Sequence, residues 1–307
     1  MRLSRPSPTH GLLALMLLLP LLAVPVHAQD GRLRARLLQR LATRDGADGA
    51  RAPLPAGAQV LRDVAYGPDP AQRMDVYLPA GARQAPLLVM VHGGGWADGD
   101  KDNPGVAANK VAHWLPQGHV LVSVNYRLLP QATPLAQAED VARAVARIQQ
   151  LAPQWGADPA RLVLMGHSAG AHLVSLLNLS PDLLAQAGAR RPLGTVALDS
   201  AAMDVEQVMQ QRHLPLYDRA FGSVRSDWIA ASPYHVMGAS APPLLAVCSS
   251  RRADACAQAR HLASKAGARG IRVEVLPQDA SHAEINRDLG LPSAYTAAVD
   301  AFLHTLR

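Results

Sequence analysis

The stretch Arg161-Leu-Val-Leu-Met-Gly-His-Ser-Ala-Gly-Ala-His-Leu173 decides the reading of this chain. It opens on an apolar run of strand length and closes on a run that suits a helix. Only Gly166-His167-Ser168-Ala169-Gly170 is left to turn the chain between them. A reversal in so few residues forces the central serine into strained backbone, and bulky neighbours would clash, so glycines flank it. The spacing predicts a strand over Arg161–Gly166 and a helix over Ala169–Leu179. Ser168 Oγ is then held at the end of a sheet beside a helix N-terminus, the setting of an activated nucleophile. The same pentapeptide also occurs as a plain turn; the strand–turn–helix context is what points to catalysis.

Upstream lies a second glycine-rich turn, His92-Gly93-Gly94-Gly95-Trp96, at the end of the apolar run Leu87–His92. Acyl transfer passes through a tetrahedral intermediate whose oxygen gathers negative charge. Backbone N–H groups of unhindered glycines can point at it, joined by the N–H of Ala169. A phosphate-cradling loop is the rival reading, but no Gly-Lys-Ser/Thr ending follows. His92 itself reads as a loop-ordering residue rather than a base. Trp96 and His167, beside the two turns, are expected to contact substrate, and His172 to pack. No Cys/His cluster has zinc spacing, so no metal is expected.

Further outward the pattern alternates strand and helix from Arg62 on. Strands are predicted at Met74–Leu78, Leu87–His92, Val120–Tyr126, Arg161–Gly166, Thr195–Leu198, Leu244–Val247 and Val273–Leu276. Helices are predicted at Val106–Leu115, Leu135–Leu151, Ala169–Leu179, Ala257–Ala266 and Ser293–Leu306. Near-continuous apolar strands alternating with helices predict an α/β fold, a mostly parallel sheet covered on both faces. Residues 201–236 break the rhythm and read as a small cap insertion in a hydrolase domain over residues 59–307. Tyr126-Arg127-Leu128, with Glu139 and Asp140, reads as a buried polar brace.

A serine nucleophile needs a base, and the base an orienting carboxylate. Behind such a serine turn the chain order is Ser, acid, His. His282 falls between the last strand and the closing helix, where the base must hang; His261 and His304 lie in predicted helices and His235 at the end of the cap. Glu284 reads as a solvated or loop-ordering acid. The carboxylate should follow Leu244–Val247, and Asp254 stands there, with Asp279 as runner-up. Asp199, at a strand end before the cap, reads as structural. The expected catalytic set is therefore Ser168, Asp254 and His282.

The chain has 307 residues, 49% of them hydrophobic and 4% aromatic, enough for one large domain cored on Leu, Val and Ala. The formal charge of +6 sits mostly in residues 1–51, with 8 Arg against 3 Asp; the remainder carries 22 basic and 21 acidic residues. A near-neutral body has no electrostatic footprint for nucleic acid. Residues 1–28 read as an export signal: Arg2 and Arg5, an apolar stretch Gly11–Val24, and Val26-His27-Ala28 as a cleavage site. The rival is an uncleaved anchor, for which the stretch is short. Residues 29–58 read as a leader and linker, with a short amphipathic helix at Arg32–Arg44. Secretion or the periplasm is expected. There a Cys248–Cys256 disulfide is permissible, and it would brace the loop carrying Asp254.

His92-Gly-Gly-Gly-Trp96, Asn125-Tyr-Arg-Leu128, Trp155-Gly-Ala-Asp-Pro159 and Gly166-His-Ser-Ala-Gly-Ala-His-Leu173 together resemble the carboxylesterase branch of the α/β-hydrolases. Feruloyl-esterase-like and hormone-sensitive-lipase-like esterases are the nearest groups, with bacterial kynurenine formamidases close by. The resemblance covers roughly residues 60–307. It implies a Ser168–Asp254–His282 triad, an oxyanion hole from Gly94, Gly95 and Ala169, no cofactor, and a small-molecule ester as substrate. One departure stands out. Many relatives carry Gly-x-x-Asp directly after the acid strand, where this chain reads Cys248-Ser-Ser-Arg251.

Overall fold

The computed structural model describes residues 54–306. The expected signal at 1–28 and the amphipathic helix at Arg32–Arg44 lie outside them. The described residues form an eight-stranded sheet: β1 (Gln59–Ala65), β2 (Arg73–Leu78), β3 (Ala85–Val91), β4 (Val120–Val124), β5 (Ala157–His167), β6 (Gly194–Leu198), β7 (Leu244–Ser249) and β8 (Val273–Gln278). Their order across the sheet is β1-β2-β4-β3-β5-β6-β7-β8. The pairs from β4 to β8 are parallel, while β1 and β2 add an antiparallel edge.

Strand β3 shows why the sheet is covered on both faces. Leu87, Val89 and Val91 pack into one hydrophobic cluster, with helices Pro134–Leu151 and Ala169–Leu179. Leu88 and Met90 pack into another, with helices Pro104–Trp114 and Ala294–His304. Alternate side chains leave a strand on opposite faces, so an unbroken apolar strand needs a layer on each side. A third cluster joins β7 to helix Ala253–Gly267.

The helix starts follow from their caps. Asn103 and Thr133 each cap a helix that opens on proline, their side-chain oxygens accepting from Gly105 N and Ala136 N. Ser281 and Glu284 form a capping box, so His282 is the first residue of helix His282–Arg287 rather than part of a loop. Between β6 and β7 the chain forms the short helices Val205–Gln210, Pro215–Phe221, Arg225–Ala230 and Pro233–Val236, which make up the cap insertion. Cys248 and Cys256 are joined in a disulfide, their Cα atoms 5.1 Å apart. Among the described residues no helix is long and apolar enough to cross a membrane.

Chain order moves from β3 outward to β4, then reverses through β5 toward β8. Such a reversal opens a crevice at the carboxyl ends of the strands, where α/β sheets bind ligands. Both glycine-rich turns stand at this crevice, after β3 and after β5.

Candidate active site

Ser168 leaves β5 with φ 56° and ψ −116°, left-handed backbone that costs a non-glycine residue energy. The turn is as tight as the sequence requires. A Cβ on Gly166 would lie 2.4 Å from the Gly170 carbonyl oxygen, and one on Gly170 2.2 Å from that of Val91. The serine N–H donates to Leu198 O at 2.9 Å, tying the turn to the end of β6. Its carbonyl accepts from His172 N, so Ser168 caps helix Ala169–Leu179, and the Ala169 N–H opens that helix.

The glycine run after β3 closes against this turn. A Cβ on Gly93 would stand 2.9 Å from Ser168 Cβ and 3.0 Å from His167 O, so only glycine fits beside the serine. Gly94 and Gly95 follow with φ 120° and 60°. His92 orders this loop, as expected: Nδ1–H donates to Gly93 O at 2.7 Å, and the ring stacks on Tyr126, whose hydroxyl donates to His92 O.

His282 Nδ1 lies 2.6 Å from Asp199 Oδ2. The carboxylate only accepts, so Nδ1 carries the hydrogen and Nε2 keeps its lone pair. Asp199 is buried; its Oδ1 accepts from Ser249 N at 2.7 Å, and Oδ2 is shared with Arg252 Nη1 at 2.8 Å. Burial alone would push this carboxyl up. Hydrogen bonds from His282 and Ser249, with the charge of Arg252, outweigh it and hold the group down at about 2. Asp199 also has φ 56°, a second strained residue one strand along from Ser168.

The carboxylate paired with His282 is thus Asp199, not Asp254. Asp254 lies in the first turn of helix Ala253–Gly267, its side chain 55% exposed, and binds Arg252 Nη2 and its own helix through Ala255 N. Helix Ala253–Gly267 starts immediately after Arg252, which turns Asp254 out to solvent. Asp279, the runner-up, is exposed and pairs with Arg251.

His167 stands behind the base. Its Nε2–H donates to His282 O at 2.9 Å, and the two rings lie 4.4 Å apart. Burial, with His282 adding to it, keeps His167 well below the usual imidazole range. Trp96 is 3% exposed, which leaves little surface to offer a substrate. Its ring is covered by Tyr217 and Phe221 of the cap, and its Nε1–H donates to His172 Nδ1. His172 in turn donates from Nε2 to Ala231 O, and burial lowers it to about 4. Trp96 and His172 therefore anchor the cap to the sheet. The expected brace is present as Asp140, fully buried and held by both nitrogens of the Arg127 fork.

Residues 74–210 match the BD-FAE family model. A probable isoprenylcysteine alpha-carbonyl methylesterase of Oryza sativa subsp. japonica is 32% identical over 118 residues, 38% of this chain and 28% of that protein. A kynurenine formamidase of Danio rerio is 37% identical over 126 residues, 40% of each chain. Both matches thus span well under half of the relative's own length. Over most of the chain, the crystal structure of esterase B from Lactobacillus Rhamnosis (HN001) superposes with a TM-score of 0.70 at 21% identity, covering 91% of this chain and 95% of that one. By fold the chain is an α/β-hydrolase, and its segment 74–210 is similar to the BD-FAE family.

Proposed function

We propose that the protein is a serine hydrolase that cleaves carboxylic esters through an acyl-enzyme on Ser168. The observation that carries this reading is the Asp199–His282 couple at 2.6 Å, set at the same carboxyl end of the sheet as the strained serine turn. Ser168 Oγ attacks the acyl carbon as His282 Nε2 takes its proton. The imidazolium then protonates the leaving alcohol, and the free base activates water for deacylation. Asp199 holds the tautomer that leaves Nε2 free. The oxyanion is assigned to the N–H groups of Gly94, Gly95 and Ala169; Gly93 gives the close approach. No step calls for a cofactor.

Ser168→Ala tests this directly. It should abolish hydrolysis of short p-nitrophenyl esters at an unchanged thermal midpoint; turnover retained in a pure sample would overturn the mechanism. The likeness to a kynurenine formamidase favours a second substrate class for the same three residues, and parallel assays on an ester and an N-formyl amide separate the two. Action outside the cytoplasm is part of the proposal, supported by the signal pattern of residues 1–28 and by the Cys248–Cys256 pair.

A further inference from the structure

Arg252 has no part in the reaction as written, yet its guanidinium touches both members of the acid–base couple. Nη1 lies 2.8 Å from Asp199 Oδ2 and 2.8 Å from His282 Nδ1, and Nη2 reaches Asp254 Oδ2 at 3.1 Å. The residue immediately precedes helix Ala253–Gly267, inside the small ring closed by Cys248 and Cys256. Backbone on both sides is thereby tied down, and the side chain is about three-quarters buried, 27% exposed.

Two electrostatic consequences follow. First, His282 Nδ1 can donate to Asp199 or accept from Arg252, but not both. Second, the imidazolium formed during catalysis has a cation in contact, so part of the charge of Asp199 is already spoken for. Resting on the serine-hydrolase reading above, we propose that Arg252 is a positioning residue that sets the pH below which the site stops turning over: it divides the charge of Asp199 with His282, and the exposed Asp254 sets how much of the arginine's charge is felt.

The other titratable groups around the couple do not duplicate this role. His167, from the end of β5, is a neutral donor to the His282 carbonyl. Glu284, on the same helix, is engaged by the Ser281 N–H and by Arg251. Lys110, from helix Pro104–Trp114, is bonded to Asn286. Tyr217, from the cap, feels the charges of Asp254, Arg252 and Asp199, but burial keeps its phenol protonated, up to about 12.

The test is the pH profile of kcat/KM on p-nitrophenyl acetate for the wild type, Arg252→Gln, Arg252→Lys and Asp254→Asn. Removing the cation in Arg252→Gln should move the acid limb up by about one pH unit, at the low end of what an adjacent charge does, with KM on the plateau unchanged. Arg252→Lys keeps the charge and should stay near the wild type. Asp254→Asn, at an exposed position that folding tolerates, should move the limb the other way, because it leaves the arginine uncompensated. Limbs that coincide for Arg252→Gln and the wild type, or for Asp254→Asn and the wild type where Arg252→Gln does not fold, would overturn the role; so would Arg252→Lys shifting as far as Arg252→Gln. Ser168→Ala run alongside separates the failures: if it is inactive and the limbs do not move, only the assignment of Arg252 falls.

Discussion

Asp199→Asn isolates the carboxylate without changing its shape. In the native site Oδ1 accepts from Ser249 N–H, and Oδ2 accepts from His282 and Arg252. An asparagine has one acceptor and one donor in their place. If its oxygen faces Ser249, its NH2 meets His282 Nδ1 donor to donor. The ring then relaxes by moving its proton to Nε2, with Nδ1 accepting from the amide or from Arg252, already 2.8 Å away. That tautomer cannot take the serine proton. Loss of an orienting carboxylate in such a triad lowers kcat by about 10⁴, or about 5.5 kcal/mol of barrier at ~1.4 kcal/mol per tenfold. Asp254→Asn, at an exposed position, should stay within about fivefold of wild-type kcat on the pH plateau, as a surface charge contributes ~1 kcal/mol or less. The assay is kcat on p-nitrophenyl acetate, normalised to the fraction of sites titrated by a fluorophosphonate. A collapse in Asp254→Asn beside an active Asp199→Asn would refute the reasoning and restore the expectation drawn from sequence.

Two further outcomes follow from close contacts elsewhere. Gly93→Ala would set a methyl 2.9 Å from Ser168 Cβ; displacing the nucleophile should lower kcat by about 10² with little change in KM, and full activity would show that the glycine turn does not approach the serine this closely. Lys110 is buried with its ammonium on Asn286 O and Oδ1, and burial, opposed by Asp288, lowers it to about 7 from the ordinary 10.5. On acidification the unfolded chain therefore takes up this proton first, so native stability should fall as pH drops from about 10.5 to about 7, on the order of several kcal/mol across the window. Chemical denaturation of Lys110→Met should lack that slope, and slopes parallel to the wild type would contradict it.

Much of this molecule was legible because its strands are short, apolar and bounded by glycine or proline. Helix Ala169–Leu179 has the predicted bounds, and β6, β7 and β8 extend one or two residues past theirs. Strand β1 has no clear sequence signature because it is an edge strand whose side chains are largely exposed, so no apolar alternation marks it. Helix His282–Arg287 is short and opens on a Ser281–Glu284 capping box; those two residues were the available signal. The positions of Ser168 and His282 are readable because each depends on local sequence, a sharp turn in one case and a segment after the last strand in the other. The carboxylate beside His282 is not readable this way, because the pairing is non-local: Asp199 and His282 are 83 residues apart and meet only beyond the carboxyl ends of β6 and β8, with β7 between them. The clue lay in the missing Gly-x-x-Asp after β7, which left Asp199, at the end of the neighbouring strand, as the other carboxylate able to reach the base. Arg252 in turn occupies the segment after β7 where the sequence places an acid.

The most direct test is covalent. During rapid-quench turnover of a slowly deacylating p-nitrophenyl ester, mass spectrometry of the digested protein should find the acyl group on the peptide containing Ser168, accumulating in the wild type and absent in Ser168→Ala. Sustained turnover with Ser168 unmodified, or the acyl group on another side chain, would contradict the serine mechanism.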